Sequence, residues 1–429
     1  MSVGQGVKVS LLPDKRQATI VTKNNQSESS MTADIKTRFP DGVQWSKQLD
    51  TGQVKSPYTD AAASVISTAG ADDACREVSS WAEYQPTELV RLSKLESHLG
   101  CGAIYYKDES SRFGLGSFKA LGGAYAVLRY VAAQYLQQQG TRISLSDIRQ
   151  GRVKNFAASL TVVTATDGNH GRSVAWGAKN AGCPCRIYIH AQVSAGREQA
   201  MASLGAEVIR IDGDYDESVK LCAAEAEQNG WQMISDTSYE GYTEIPADVM
   251  AGYTVLASEV IDQMDKPPTH VFLQAGVGGL AGAIAARLWM EFDENRPHFT
   301  IVESDYSACV YQSFLQQAPA TVEITEETVM AGLSCGEMSL LAWKILSGCC
   351  DQVMTIPDDQ VAAAMKLFAD GEMSGESIEA GECAVPGVLA LMASVTAAQH
   401  DYRDARVLVL GCEGATDAAV YQQMLDSVA

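Results

Sequence analysis

The sequence predicts an α/β protein whose sheets are largely parallel and flanked by helices. Two observations carry that reading. Short β-branched or aliphatic runs, such as Leu160-Thr-Val-Val-Thr-Ala-Thr166, alternate regularly with stretches that read as helices, the pattern of parallel strands joined by right-handed crossovers. Several of these runs also exit into loops bearing glycine, asparagine or aspartate, which is where open α/β sheets bind ligands. With 429 residues and 46% hydrophobic composition the chain can bury a large core, organised as two domains.

Taken in order, residues 1–37 form a polar extension in which residues 17–22 have the pattern of a short strand. Pro86 and Thr87 lead into apolar residues spaced for either a helix or a strand, and residues 102–109 read as a strand ending in charge. An apolar helix follows from Lys119 to about residue 139. After a polar connection, the run 156–166 holds the strand around Leu160 and stops at Asp167-Gly-Asn-His-Gly171; residues 172–181 read as a helix. Strands are expected at 184–190, 205–211 and 231–235, with helices at 195–204 and 216–229 between them. A helix at 253–264 precedes a strand at 270–275, whose exit Gly276-Val-Gly-Gly-Leu-Ala-Gly282 opens a long apolar helix. Residues 299–303 form the next strand, and 329–337 a glycine-bearing loop. Helices at 359–370 and 385–398 lead to a last strand, 405–410, which exits at Gly411-Cys-Glu-Gly-Ala-Thr416. No repeat of solenoid period is present.

Composition narrows the function. A net charge of −21 argues against nucleic acid or an anionic membrane as partner, because both need a basic face. The eleven cysteines stand singly or as Cys183-Pro-Cys185 and Cys349-Cys350, and no spacing matches a zinc site, so no metal is expected. An odd count in a long chain fits a reduced, cytoplasmic protein better than a secreted disulfide scaffold. No run approaches the length that crosses a bilayer, and the first thirty-odd residues lack the apolar core of a secretory signal.

The centre of the chain's chemistry is Ser111-Arg-Phe-Gly-Leu-Gly-Ser-Phe-Lys-Ala-Leu-Gly-Gly-Ala-Tyr-Ala126. An ordinary lysine at a helix start would be solvated, but a cation there opposes the macrodipole. Phe118 and the glycines point to a close-packed site, where a desolvated lysine becomes a nucleophilic amine. The loop at Gly276 offers backbone N–H groups at a helix start, an anion cradle. Alone it is ambiguous, since Gly276-x-Gly278-x-x-Ala281 also fits a permissive dinucleotide fingerprint with Glu303 ending the next strand.

Gly116-Ser-Phe-Lys119 resembles the Schiff-base motif of fold type II pyridoxal-phosphate enzymes, the group of the threonine dehydratases and the tryptophan synthase β chain. The longer string Arg112 to Tyr125 is most similar to diaminopropionate ammonia-lyases, and matches continue from about Tyr84 to Asp417. The resemblance implies a two-domain architecture with the cofactor in the cleft: an extension 1–37, a large domain 38–118 plus 237–429, and a small domain 119–236. It implies pyridoxal 5'-phosphate bound to Lys119, flanked by Phe118, with Asn169 facing its phenolic oxygen. The phosphate falls to Gly276, Val277, Gly278, Gly279 and Leu280. Thr416 is the candidate for the pyridine nitrogen and Cys412 the reserve.

By the same resemblance Ser117, Thr166, Asp167, His170 and Asp236 face the substrate. Asp167 and Asp236 are carboxylates where a hydroxy-amino-acid lyase has no call for two acids. Each also has a plainer reading, as a helix cap or turn residue. The implied reaction is α,β-elimination of ammonia from D- and L-2,3-diaminopropionate, with Lys119 and Asp167 as the catalytic pair. The rivals are a serine, threonine or hydroxyaspartate ammonia-lyase, a nicotinamide-dependent oxidoreductase, and a ligand sensor that kept the fold without the chemistry. Relatives of this fold are commonly homodimers, which is the expectation here.

Overall fold

A computed structural model describes residues 35, 37–40, 42–166, 168–398 and 400–428. The expected strand at 17–22, most of the extension and Asp167 lie outside the described residues. Residues 42–429 form one compact unit and residues 1–41 another.

Among the described residues, eleven strands build two sheets. They are β1 (Lys47–Asp50), β2 (Glu88–Arg91), β3 (Ala103–Asp108), β4 (Val162–Ala165), β5 (Cys185–Ile189), β6 (Glu207–Arg210), β7 (Gln232–Met233), β8 (His270–Gln274), β9 (His298–Ser304), β10 (Gln352–Ile356) and β11 (Arg406–Gly411). The larger sheet has the order β1-β10-β9-β8-β11-β3-β2 and the smaller β6-β5-β4-β7. The smaller is parallel throughout. In the larger, only the edges β1 and β2 run antiparallel to their neighbours. The central strands are apolar on both faces because helices cover both, and residues such as Val271, Phe272, Ile301 and Leu408 are fully buried.

The structure departs from the sequence reading at identifiable places. Phe156 belongs to a short helix, Lys154–Ala157, and the strand starts only at Val162. The helix expected from Tyr253 begins at Glu244; Pro246 lies in its first turn, where a missing N–H removes no intrahelical bond. β1 is polar and has no strand pattern of its own; it is a strand because Lys47 to Asp50 pair with Thr355 to Gln352. Among the described residues no helix is long and apolar enough to cross a membrane.

Three helices position the site: α1 (Lys119–Gln139), α2 (Asn169–Ala181) and α3 (Glu244–Gln263). α1 and α3 cross where Gly252 faces Leu121 and Gly122. A Cβ on Gly252 would stand 2.6 Å from the Leu121 carbonyl oxygen, so only glycine permits this approach. A fourth helix, α4 (Gly279–Phe292), carries the β8 exit loop and packs against α3.

The turn before Lys119 is anchored by buried charge. Arg112 donates two hydrogen bonds to Glu109, at 2.8 and 2.7 Å, and two to Glu259 of α3, at 2.7 and 2.8 Å. Lys107 completes the set with an ion pair to Glu259 at 2.7 Å. The two acids and two bases are mutually satisfied, the condition under which buried ions hold a unique geometry instead of destabilising it.

Candidate active site

Lys119 is the first residue of α1, and its Nζ lies 2.6 Å from Oδ2 of Asp236, which follows β7 in the chain. Burial works to lower the pKa of the ammonium; the nearby charges, Asp236 foremost, outweigh it and hold Lys119 above the ordinary lysine value. Asp236 is the mirror case: burial would raise it, but the Lys119 charge outweighs burial and holds it well below the ordinary carboxylate range. The pair is therefore ionised at neutral pH.

His170, the second residue of α2, stands behind Asp236 with Nδ1 3.8 Å from Oδ2. Its Nε2 lies 2.9 Å from the Ile234 carbonyl oxygen, which accepts only an N–H, so Nε2 carries the proton and Nδ1 is bare. Burial depresses the imidazole pKa despite the Asp236 charge, leaving the ring neutral. Thr166 closes the β4 exit: its Oγ1 accepts from the N–H groups of Gly168 at 3.1 Å and Gly171 at 3.3 Å. Asn169 is the first residue of α2, and its Nδ2 donates to Glu413 Oε2 at 2.6 Å.

The β11 exit is zipped onto the lysine loop. Phe118 N–H donates to the Cys412 carbonyl at 3.0 Å, Ser117 bridges to Glu413, and Gly414 N–H donates to the Gly116 carbonyl at 3.0 Å. Cys412 is buried, which pushes its thiol well above the ordinary range, and its Sγ donates to the Cys383 carbonyl oxygen at 3.2 Å. Thr416 lies two residues past this zipper and is half-buried; its methyl faces Gly116.

Across from the lysine, Gly276, Val277, Gly278 and Gly279 turn out of β8 into α4. None of their four N–H groups donates a hydrogen bond within the described residues. Gly278 has φ +93°, and a Cβ there would stand 3.0 Å from the Ala342 methyl, so the turn requires glycine. Gly279 borders the lysine side: its Cβ direction points to within 3.7 Å of the Asp236 carbonyl oxygen. Leu280 is buried in the first turn of α4. Four unpartnered donors at the positive end of a 14-residue helix form an anion cradle. Replacing Gly278 by aspartate is expected to abolish pyridoxal-phosphate binding, measured as cofactor per protomer after dialysis; unchanged content would remove the loop from the site.

Glu303 does not fit the dinucleotide reading. Both its oxygens are taken, accepting from Val310 N–H at 2.8 Å and Tyr311 N–H at 2.7 Å in the first turn of the helix Cys309–Gln316, and it is fully buried. Sequence reasoning missed Glu413, Arg112 with Glu259, and Tyr253. Tyr253 packs its ring 4.8 Å from Phe118 and keeps its buried phenol oxygen without a hydrogen-bond partner. An acid inside an apolar strand exit was the available signal for Glu413. Nothing local marks Tyr253 or Glu259.

An amine that can form a C=N bond with an aldehyde, facing a cradle for a phosphate, suits a phosphorylated aldehyde cofactor. Comparison with known proteins agrees. A family model described as pyridoxal-phosphate dependent enzyme matches residues 81–413. Diaminopropionate ammonia-lyase of Escherichia coli (strain K12) is 37% identical over 361 residues, 80% of this chain and 88% of that protein. A crystal structure of diaminopropionate ammonia lyase from Escherichia coli in complex with D-serine superposes with a TM-score of 0.79 at 34% identity, covering 90% of this chain and 98% of that one. The same enzyme in complex with an aminoacrylate-PLP azomethine reaction intermediate matches with a TM-score of 0.77 and the same coverage. Pyridoxal 5'-phosphate is the cofactor, and the chemistry is that of a carbon–nitrogen lyase. The glycine cradle and the half-buried lysine thus have their explanation in descent: the chain belongs to the fold type II pyridoxal-phosphate-dependent enzymes, within the diaminopropionate ammonia-lyases.

Proposed function

We propose that the chain eliminates ammonia from both D- and L-2,3-diaminopropionate. With one water taken up, the products are pyruvate and two molecules of ammonia. The observation that carries this reading is the Lys119–Asp236 ion pair at 2.6 Å beside the anion cradle. Lys119 would hold the cofactor covalently, the N–H groups of Gly276 to Gly279 with Leu280 its phosphate, Phe118 its ring, and Asn169 its phenolic oxygen. For the pyridine nitrogen, Thr416 stands as the candidate and Cys412, whose thiol donates to the Cys383 carbonyl oxygen, as the reserve. When bound, the cofactor supplies the electron sink that acidifies the substrate's Cα proton.

The chain's own groups do the rest. Once Lys119 is engaged, Asp236 loses its cation, and a half-buried carboxylate without one is costly. The substrate's β-ammonium restores the charge balance, whereas a hydroxyl does not; this favours a diamino acid over serine. Lys119, released as a free amine, takes the Cα proton on its face. Asp167 is assigned the Cα proton on the opposite face, which is how one site accepts both isomers. Ser117, Thr166 and His170 position the substrate carboxylate and Asp236.

The division into a large domain (38–118 and 237–429) and a small one (119–236) belongs to the same proposal. It is supported by the strands, since β4 to β7 make one sheet and the others the second. A cytoplasmic homodimer is proposed with it, and among the described residues no disulfide joins any of the cysteines. The test is pyruvate and ammonia release from D- and L-diaminopropionate, D- and L-serine, threonine and hydroxyaspartate. Both diaminopropionate isomers are expected to exceed serine in kcat/KM by roughly 10²-fold or more. Equal or faster turnover of serine would assign the enzyme to the hydroxy-amino-acid lyases instead.

A further inference from the structure

The geometry points to Glu413 as a positioning residue: its carboxylate fixes the Asn169 amide with Nδ2 turned toward it, leaving the second N–H of that nitrogen for the cofactor's phenolic oxygen. The inference rests on the placement of Asn169 proposed above.

An asparagine amide can point either way, since its oxygen and nitrogen are nearly the same size. A carboxylate accepts and cannot donate, so only Nδ2 can face it. The 2.6 Å bond from Asn169 Nδ2 to Glu413 Oε2 therefore selects one of the two amide senses. Glu413 is itself held so that it cannot swing away. It is 5% exposed, its Oε1 accepts from Cys383 N–H at 3.3 Å, and its carbonyl accepts from Gly381 N–H at 3.0 Å. Its backbone bridges to Ser117, two residues before Lys119. The same residue thus ties the amide sense of Asn169 to the position of the lysine loop, across the gap between β4 and β11.

The arrangement has a cost that a structural contact alone would not justify. Burial, followed by the charge of Glu413, pushes the neighbouring Glu382 carboxyl up to about 7. Arg197, 3.4 Å from Glu382 and 3.6 Å from Asp417, offsets part of that charge. A glutamine at 413 would fill the same volume without crowding Glu382. It would also pair with either sense of the Asn169 amide, and this is the property that separates a positioning carboxylate from a packing residue.

The readout is the absorption spectrum of the resting holoenzyme, in which the phenolate form of the bound cofactor absorbs at longer wavelength than the neutral phenol form. Glu413→Gln is expected to bind pyridoxal phosphate and to lower the phenolate-to-phenol ratio roughly three- to tenfold, the weight of one hydrogen bond. Asn169→Ala is expected to lower it at least as much, and the double variant no further than Asn169→Ala alone, because both act through one bond. The thermal midpoint of the apoprotein separates these changes from unfolding. A spectrum unchanged in Glu413→Gln but shifted in Asn169→Ala overturns the role of Glu413 and leaves Asn169 in place. A spectrum unchanged in Asn169→Ala removes Asn169 from the phenolic oxygen and the role of Glu413 with it. A Glu413→Gln protein that folds without binding cofactor, or does not fold, makes Glu413 structural and equally overturns the proposal.

Discussion

Lys119→Ala is expected to abolish both the visible absorption band that borohydride bleaches and all measurable pyruvate release. The side chain has two tasks that no other residue near it can assume. In the reading proposed above it is the amine that anchors the cofactor's aldehyde, and on release the base that takes the Cα proton of one isomer. The substitution also leaves Asp236 without its partner at 2.6 Å. Burial, the strongest single influence on that carboxyl, would then be less opposed, and its pKa would rise toward and past the ordinary range. Breaking a fully buried pair costs about 3–5 kcal/mol. Here both side chains keep 22% exposure, so a loss of about 1–3 kcal/mol in apoprotein stability is expected, smaller because solvent screens the remaining charge. Absorption with and without borohydride, a coupled pyruvate assay and an apoprotein melt together check the result. Turnover surviving in the variant would place the chemistry on another amine.

Asp167→Asn is expected to cost the D-isomer about 10²–10⁴-fold in kcat/KM while the L-isomer changes far less. The argument is one of faces. When the substrate carboxylate is held in one place, the Cα protons of the two isomers project to opposite sides of a planar cofactor. Lys119 approaches from one side only. Asp167 joins β4 to α2, a connection separate from the lysine loop, and asparagine in its place is nearly isosteric but cannot take a proton. Asp236 is unsuited to that task in the reading proposed above, because the substrate's β-ammonium takes the place of Lys119 as its counter-charge and keeps it a weak base. Equal losses for both isomers would make Asp167 a shared binding group; no loss for either would make it a helix cap.

Much of this site is legible from the chain because its parts are local. The lysine at the start of α1, the β-branched run of β4 and the glycines leaving β8 each follow from residues within a few positions of one another. Strand pattern, turn chemistry and helix-terminus donors are short-range properties, so they survive in the sequence without knowledge of the fold. The pairings between these parts do not. Lys119 meets Asp236 across 117 positions and Asn169 meets Glu413 across 244; Asp236 taken alone has a plainer reading as a turn residue or a cap, and Glu413 taken alone has no local partner. Arg112 with Glu259 is the same case, as is β1, which is a strand only because β10 lies beside it. Whether a charged side chain is a solvated accessory or half of a buried pair depends on what the fold places against it. Burial then sets the energy at stake, so for Asp236 and Glu413 the partner was decided by tertiary structure, where desolvation makes a single group at hydrogen-bond distance decisive.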